Sequence, residues 1–314
     1  MNSTSPLYNR FPMNRRDFLR GTGLAAAGLA LANPARLRAQ DEAPEHWREF
    51  EITPDVQILN PRGVTRAWLP TPLAVAPYQK TMGDTYHPGS GTAVMIETNA
   101  YEPDMLGCAW DEGVDPVLTL VSRVATKDHA PNLKMPTVPP PVDLLSFRPF
   151  LKSTRSTPTD GIVRTTAKEI TKGAGTDFER ARAIYDWAID TASRDPTVAD
   201  LNARFVGLCR ASGIPARNVY GLRVVSGEAT KAQQSRAEVY LTGYGWVPVD
   251  PGAGRFGSWE TNWIAYNFAQ DVTLRGSKRA PLAYFMYPQG ETDDGPLDSL
   301  KPEGFRYSIT AREV

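Results

Sequence analysis

Covalent attack on an amide carbonyl by a thiol needs three groups in one place. They are a thiolate near neutral pH, a histidine within hydrogen-bond reach, and a third side chain that holds the imidazole. This chain has two cysteines, Cys108 and Cys209, and three histidines, His46, His87 and His129. A helix N-terminus, with its free amides and positive dipole end, is where a thiolate is favoured. Cys209 falls instead in the last turn of a predicted helix, beside the negative end, where a thiol pKa rises. Its spacing from Phe205 and Leu208 marks a core position. It is therefore read as a small buried apolar residue, and so is Cys108; a single bridge between the two stays open. Thr197 is read as the N-cap of the same helix, which accounts for it without a nucleophilic role. His87 and His129 could reach the second half of the chain only across a tightly docked interface.

The elements that must position such groups are legible. Ile162–Lys172 has the pattern of a short helix. Thr176-Asp-Phe-Glu179 is a capping box, in which the threonine oxygen and the glutamate each satisfy an orphan amide. The helix that it opens aligns Phe178, Ala181, Ile184, Tyr185 and Ala188 on one stripe. A third helix, roughly Val198 to Ser212, buries Leu201, Phe205 and Leu208. It stops at Gly213, with Pro215 two residues on. From Val219 the period changes to two. Val219–Val225, Arg236–Leu241 and Trp246–Val249 read as strands, the last two joined through Gly243-Tyr244-Gly245. Arg217 and Glu238 are expected to form an exposed pair of little weight. Trp187, Trp246, Trp259 and Trp263 are assigned to core packing rather than to a ligand groove.

The first half reads differently. From His46 to Thr126, short runs such as Gly63–Leu69 and Val117–Val124 are rich in β-branched and aromatic residues and broken by turn residues, the pattern of a small sandwich. Pro131, Pro136, Pro139, Pro140 and Pro141 follow as a stiff linker. Before all of this stands Asn14-Arg15-Arg16-Asp17-Phe18-Leu19-Arg20, a twin-arginine export signal ahead of the weakly apolar run Gly21–Ala32, with cleavage expected near Ala39. Lys+Arg and Asp+Glu both number 35. Six arginines and one aspartate lie in the first 39 residues, so the remainder is mildly acidic. Such a body is a poor partner for nucleic acid, and no later segment is long and apolar enough for a stable membrane anchor. No cofactor motif or metal-ligand cluster is apparent. The expected division is 1–39 signal, 40–130 β-rich domain, 131–153 linker and 154–314 second domain.

FVGLCRASGIPARNVYGLRV (Phe205–Val224) and RAEVYLTGYGWVPVDP (Arg236–Pro251) resemble the core of the transglutaminase-like family, within the papain-like cysteine protease superfamily. Phe256–Phe268 resembles the tail of its exported bacterial members. The resemblance implies an α+β fold, a helix packed on an antiparallel sheet, behind a small β-sandwich. It also implies a Cys-His-Asp triad for acyl transfer or peptide hydrolysis, with the cysteine two residues before the position of Asp200. That position is Val198. The family histidine precedes the RAEVYL strand, where this chain has Gln234, and Asp250 is the relict aspartate. Glutamine can hydrogen-bond but takes no proton at neutral pH. Asp250, with no histidine to orient, is expected to cap the Pro251-Gly252 turn. Loops after Pro196 and after Pro251 look shortened against the family. The resulting expectation is an exported, periplasmic or secreted protein, catalytically degenerate and retained for binding or scaffolding a peptide or protein ligand. The alternative is a cysteine-dependent acyl transferase or peptidase with an unrecognised nucleophile.

Overall fold

The computed structural model describes residues 46–98, 101–137, 144–194, 200–224 and 227–314. The export segment, Pro139–Pro141, Thr197 and Val198 lie outside the described residues. The first half supplies six principal strands, β1 (Arg48–Ile58), β2 (Thr65–Pro70), β3 (Gln79–His87), β4 (Thr92–Ile96), β5 (Met105–Trp110) and β6 (Val117–Thr126). Three α-helices follow, α1 (Ile162–Ile170), α2 (Asp177–Arg194) and α3 (Leu201–Ala211). The strands β7 (Ala216–Arg223), β8 (Gln233–Leu241), β9 (Gly245–Asp250) and β10 (Trp263–Asn267) complete the core. Two more, β11 (Gln289–Thr292) and β12 (Phe305–Glu313), close the chain.

The α+β core is built as its residue pattern dictates. The box at the start of α2 forms in both directions: Glu179 N donates to Thr176 Oγ1 at 3.1 Å, and Thr176 N to Glu179 Oε2 at 3.0 Å. Ala181, Ile184, Tyr185 and Ala188 of the predicted stripe are buried. α3 stops where Gly213 takes φ 79° and Ile214 N returns to Cys209 O at 2.9 Å, the left-handed ending a glycine allows. Helices α2 and α3 bury this face against Ala237, Val239 and Leu241 of β8 and Val247 and Val249 of β9. Each fully buried large apolar side chain there, Phe205 among them, contributes about 1.5–3 kcal/mol. The core sheet runs Arg255–Phe256, β9, β8, β7, β10, all antiparallel.

The other two sheets hold a feature that short-range pattern does not reveal. β12 pairs with β1 along its whole length, Phe50 opposite Glu313 through Ile58 opposite Phe305. β11 pairs with β2. Residues 289–313, which fall in the expected second domain, thus hydrogen-bond into the sheets of the first half. Glu45–Val314 forms one compact unit. The proline-rich segment is docked as well: Thr137 N donates to Gly243 O at 2.8 Å, Leu133 packs on the helix–sheet core, and Phe150 meets Trp246 edge-on. A protease that nicks the chain between Ala130 and Ser153 is therefore expected to leave two fragments that co-elute on size exclusion without denaturant. Separate elution of the two would overturn this.

Candidate functional site

The helix that would carry a nucleophile begins at α3. Its N-cap is Asp200, not the expected Thr197. Asp200 sits in the left-handed region at φ 48°, and its carboxylate accepts from Ala203 N at 2.9 Å. Aspartate is among the few side chains that tolerate this backbone and cap as well. The chain's own carboxylate thereby occupies the positive end that would stabilise a thiolate. One residue into the helix, Asn202 Nδ2 donates to Ser235 O at 2.9 Å and ties α3 to β8.

Strand alternation sorts β8 into two faces. Ala237, Val239 and Leu241 face α2 and α3, so Ser235 projects to that side. Gln234, Arg236 and Glu238 project to the other. Gln234 is exposed and does not face α3. Asp250 shares its face, next to Arg236: the register Ala237 opposite Val249 brings Arg236 opposite Asp250, and Arg236 Nε lies 3.5 Å from Asp250 Oδ2. The other carboxylate oxygen, Oδ1, accepts from Ala253 N at 3.2 Å, capping a short 3-10 turn that starts at Pro251. Asp250 is thus engaged by an arginine and a backbone amide. Arg236 is buried, contacts Glu260 through Nη2 and lies 5.3 and 5.0 Å from the ring centres of Trp259 and Trp263. Arg255 reaches Glu260 at 2.7 Å. Burial pushes the Glu260 carboxyl up, but its bond to Arg236 and the charges of Arg236 and Arg255 outweigh this and hold it below its ordinary range.

Two expectations need correction here. The Arg217–Glu238 pair forms but is not exposed. Glu238 Oε2 accepts from Arg217 Nε at 2.7 Å, Arg217 Nη2 stands 2.6 Å from the same oxygen, and side-chain exposures are 11 % and 1 %. The guanidinium is clamped between Trp246 and Phe268, 4.0 and 3.5 Å from the ring centres. Glu238 Oε1 accepts from the buried Tyr78 hydroxyl at 2.9 Å. Second, the interface that would import His129 exists. His129 and Trp259 exchange backbone hydrogen bonds at 3.0 and 2.7 Å, and the imidazole lies 6.0 Å from the Tyr78 ring. Burial and Lys127 lower the His129 pKa, and the nearby Glu238 charge opposes them. Tyr78 and Glu260, which complete this cluster, carry no local sequence signal; only tertiary pairing brings them in.

Both cysteines are free and buried. Burial raises the Cys209 thiol far above its ordinary value and takes Cys108 to about 12. Among the described residues, no three His, Cys, Asp or Glu side chains converge as a metal-ligand set. Trp259 and Trp263 are core residues.

Comparison with known proteins places the chain. Residues 193–251 match the transglutaminase-like superfamily, and residues 12–32 match the twin-arginine translocation signal. An uncharacterized protein of Haemophilus influenzae is 27% identical over 361 residues, covering 92% of this chain and 97% of the relative. Since this chain has 314 residues, at least 47 of those 361 aligned positions have no counterpart in it. A solved Cytophaga hutchinsonii structure, classed provisionally as a cysteine protease, superposes with TM-score 0.56 at 14% identity, over 86% of this chain and 91% of its own; it supports the fold. The periplasmic domain of TgpA from Pseudomonas aeruginosa, 16% identical over 64% of this chain and 87% of its own, reaches only TM-score 0.32, too low to argue from. Replacing Arg15 and Arg16 by lysine is expected to abolish periplasmic recovery in cell fractionation; unchanged recovery would contradict the export role of the pair. The chain thus joins a transglutaminase-like segment, residues 193–251, to a twin-arginine export signal.

Proposed function

We propose that the protein is catalytically degenerate and retained for binding or scaffolding a peptide or protein ligand. The observation that carries this reading is the surroundings of Asp250: Oδ1 accepts from Ala253 N, and the group beside Oδ2 is the buried Arg236 guanidinium, 3.5 Å away. In a working triad an imidazole N–H, and not a guanidinium, stands beside that oxygen. Gln234 beside it supplies no base, and Cys209 lies fully buried in the last turn of α3. The surplus positions of the Haemophilus relative agree with loops that are shorter in this chain. The test is amine incorporation into a glutamine-containing peptide, with a peptidase assay beside it. No turnover is expected from the wild-type chain. Turnover that disappears in Cys209→Ala would overturn the reading and name the nucleophile.

A further inference from the structure

We propose that the strip of surface between Gly257 and Gly243 is a docking site for protein segments of the form Asn-Leu-x-x-Pro, and that the chain's own residues 132–137 occupy it as an internal competitor. The inference rests on the peptide-binding reading and gives it a place and a ligand class.

Two glycines lie beneath the segment. A Cβ on Gly257 would stand 2.5 Å from Leu133 Cδ1, and one on Gly243 would stand 2.9 Å from Pro136 Cβ. Both take a left-handed φ, 88° and 87°, which favours glycine on its own account. The bare backbone that results is what Leu133 and Pro136 lie on. Phe256 and Tyr244 are the neighbours of these glycines in sequence. The Phe178 ring of α2 lies 6.0 and 5.5 Å from theirs, centre to centre, and links them. All three rings and Leu133 are partly buried against the helix–sheet core. Aromatic-lined surfaces that accept proline recur in peptide recognition, because proline arrives with little conformational freedom left to lose.

The segment carries its own shape. Asn132 Oδ1 accepts from Lys134 N at 3.1 Å, and Met135 N reaches Asn132 O at 3.4 Å, a turn that asparagine favours. These bonds need no residue outside 132–135, so a separate peptide with the same residues can form them.

The hold on the core is slight. Among the described residues, Thr137 alone bonds the segment to it, N and Oγ1 both donating to Gly243 O at 2.8 and 3.0 Å. Asn132, Lys134, Met135, Pro136 and Thr137 are exposed, Met135 to 69 %. Leu133 is the one apolar anchor, and the pairing before it ends with the bonds between His129 and Trp259. A segment with so few buried contacts opens at low free energy. Its tether nevertheless holds it near the strip at an effective concentration on the order of millimolar, so an external segment has to displace it.

Fluorescence anisotropy of dye-labelled Pro-Asn-Leu-Lys-Met-Pro-Thr against the mature chain tests this. Binding to Leu133→Ser is expected to be tighter than binding to the wild-type chain by about tenfold or more, because the variant loses its internal anchor while the strip stays intact. Thr137→Pro, which removes both bonds to Gly243 O, should open the strip in the same way without touching the apolar core. A peptide with serine in place of its leucine should bind neither variant. No binding to either variant, equal binding to variants and wild-type chain, or binding indifferent to the peptide's leucine would each overturn the proposal. Each of these leaves the turnover assay and peptide binding elsewhere on the molecule untouched, so the reading beneath the proposal fails separately.

Discussion

Glu238→Ala is expected to lower folding stability by about 3–5 kcal/mol, the cost of removing one partner from a buried ion pair. The reason is what stays behind. Arg217 remains nearly buried between Trp246 and Phe268 without its carboxylate, and the buried Tyr78 hydroxyl loses its acceptor. For a unit of this size the loss corresponds to a Tm drop on the order of 10 °C. The joint replacement Glu238→Leu with Arg217→Met should cost far less than Glu238→Ala alone, because no uncompensated charge is left. Chemical denaturation of both variants beside the wild-type chain checks this. A cost below about 1 kcal/mol for Glu238→Ala, the range of exposed pairs, would show that the clamp is not desolvated in solution.

The double change Val198→Cys with Gln234→His is expected to leave amine incorporation and peptidase activity at background. In subtilisin, losing the nucleophile or the base removes roughly a millionfold in rate, because a triad works as a unit. Here restoring two members leaves the third in another setting: Asp250 caps a turn through Ala253 N and has the Arg236 guanidinium 3.5 Å from its other oxygen. A histidine at 234 would also project from the face of β8 opposite α3. The start of α3 already carries the Asp200 carboxylate at its cap, and negative charge there disfavours thiolate formation. Titrating the introduced thiol with iodoacetamide against pH reads this directly. Activity well above the single variants would overturn the account of Asp250 as unable to serve a restored histidine, and would leave the degenerate reading of the wild-type chain standing.

The core is legible in the sequence where local chemistry decides it. The capping box, the Gly213 stop and the period-two strands need only neighbours within a few residues, and they appear within a few positions of their expected bounds. The cap of α3 is not legible in the same way, because threonine is a common cap whereas a left-handed aspartate shows no pattern of its own. The Arg217–Glu238 pair is visible as a pair but not as a buried one. Its desolvation depends on Tyr78 and Phe268, which come from distant parts of the chain. The partners of β11 and β12 are likewise beyond reach, since periodicity marks a strand without saying where it pairs.

The strands β1 and β12 lie far apart in sequence yet share one ladder. β12 fills the gap beside β1, and Arg48 and Glu313, 265 positions apart, are joined by paired hydrogen bonds. Until β12 has been made and docked, β1 keeps an open edge, and contacts this distant form late in folding. A twin-arginine carrier accepts cargo that has already folded. A chain broken off before Phe305 would present its signal on an unfinished sheet, so the seam between first and last strands can act as a completeness check before export.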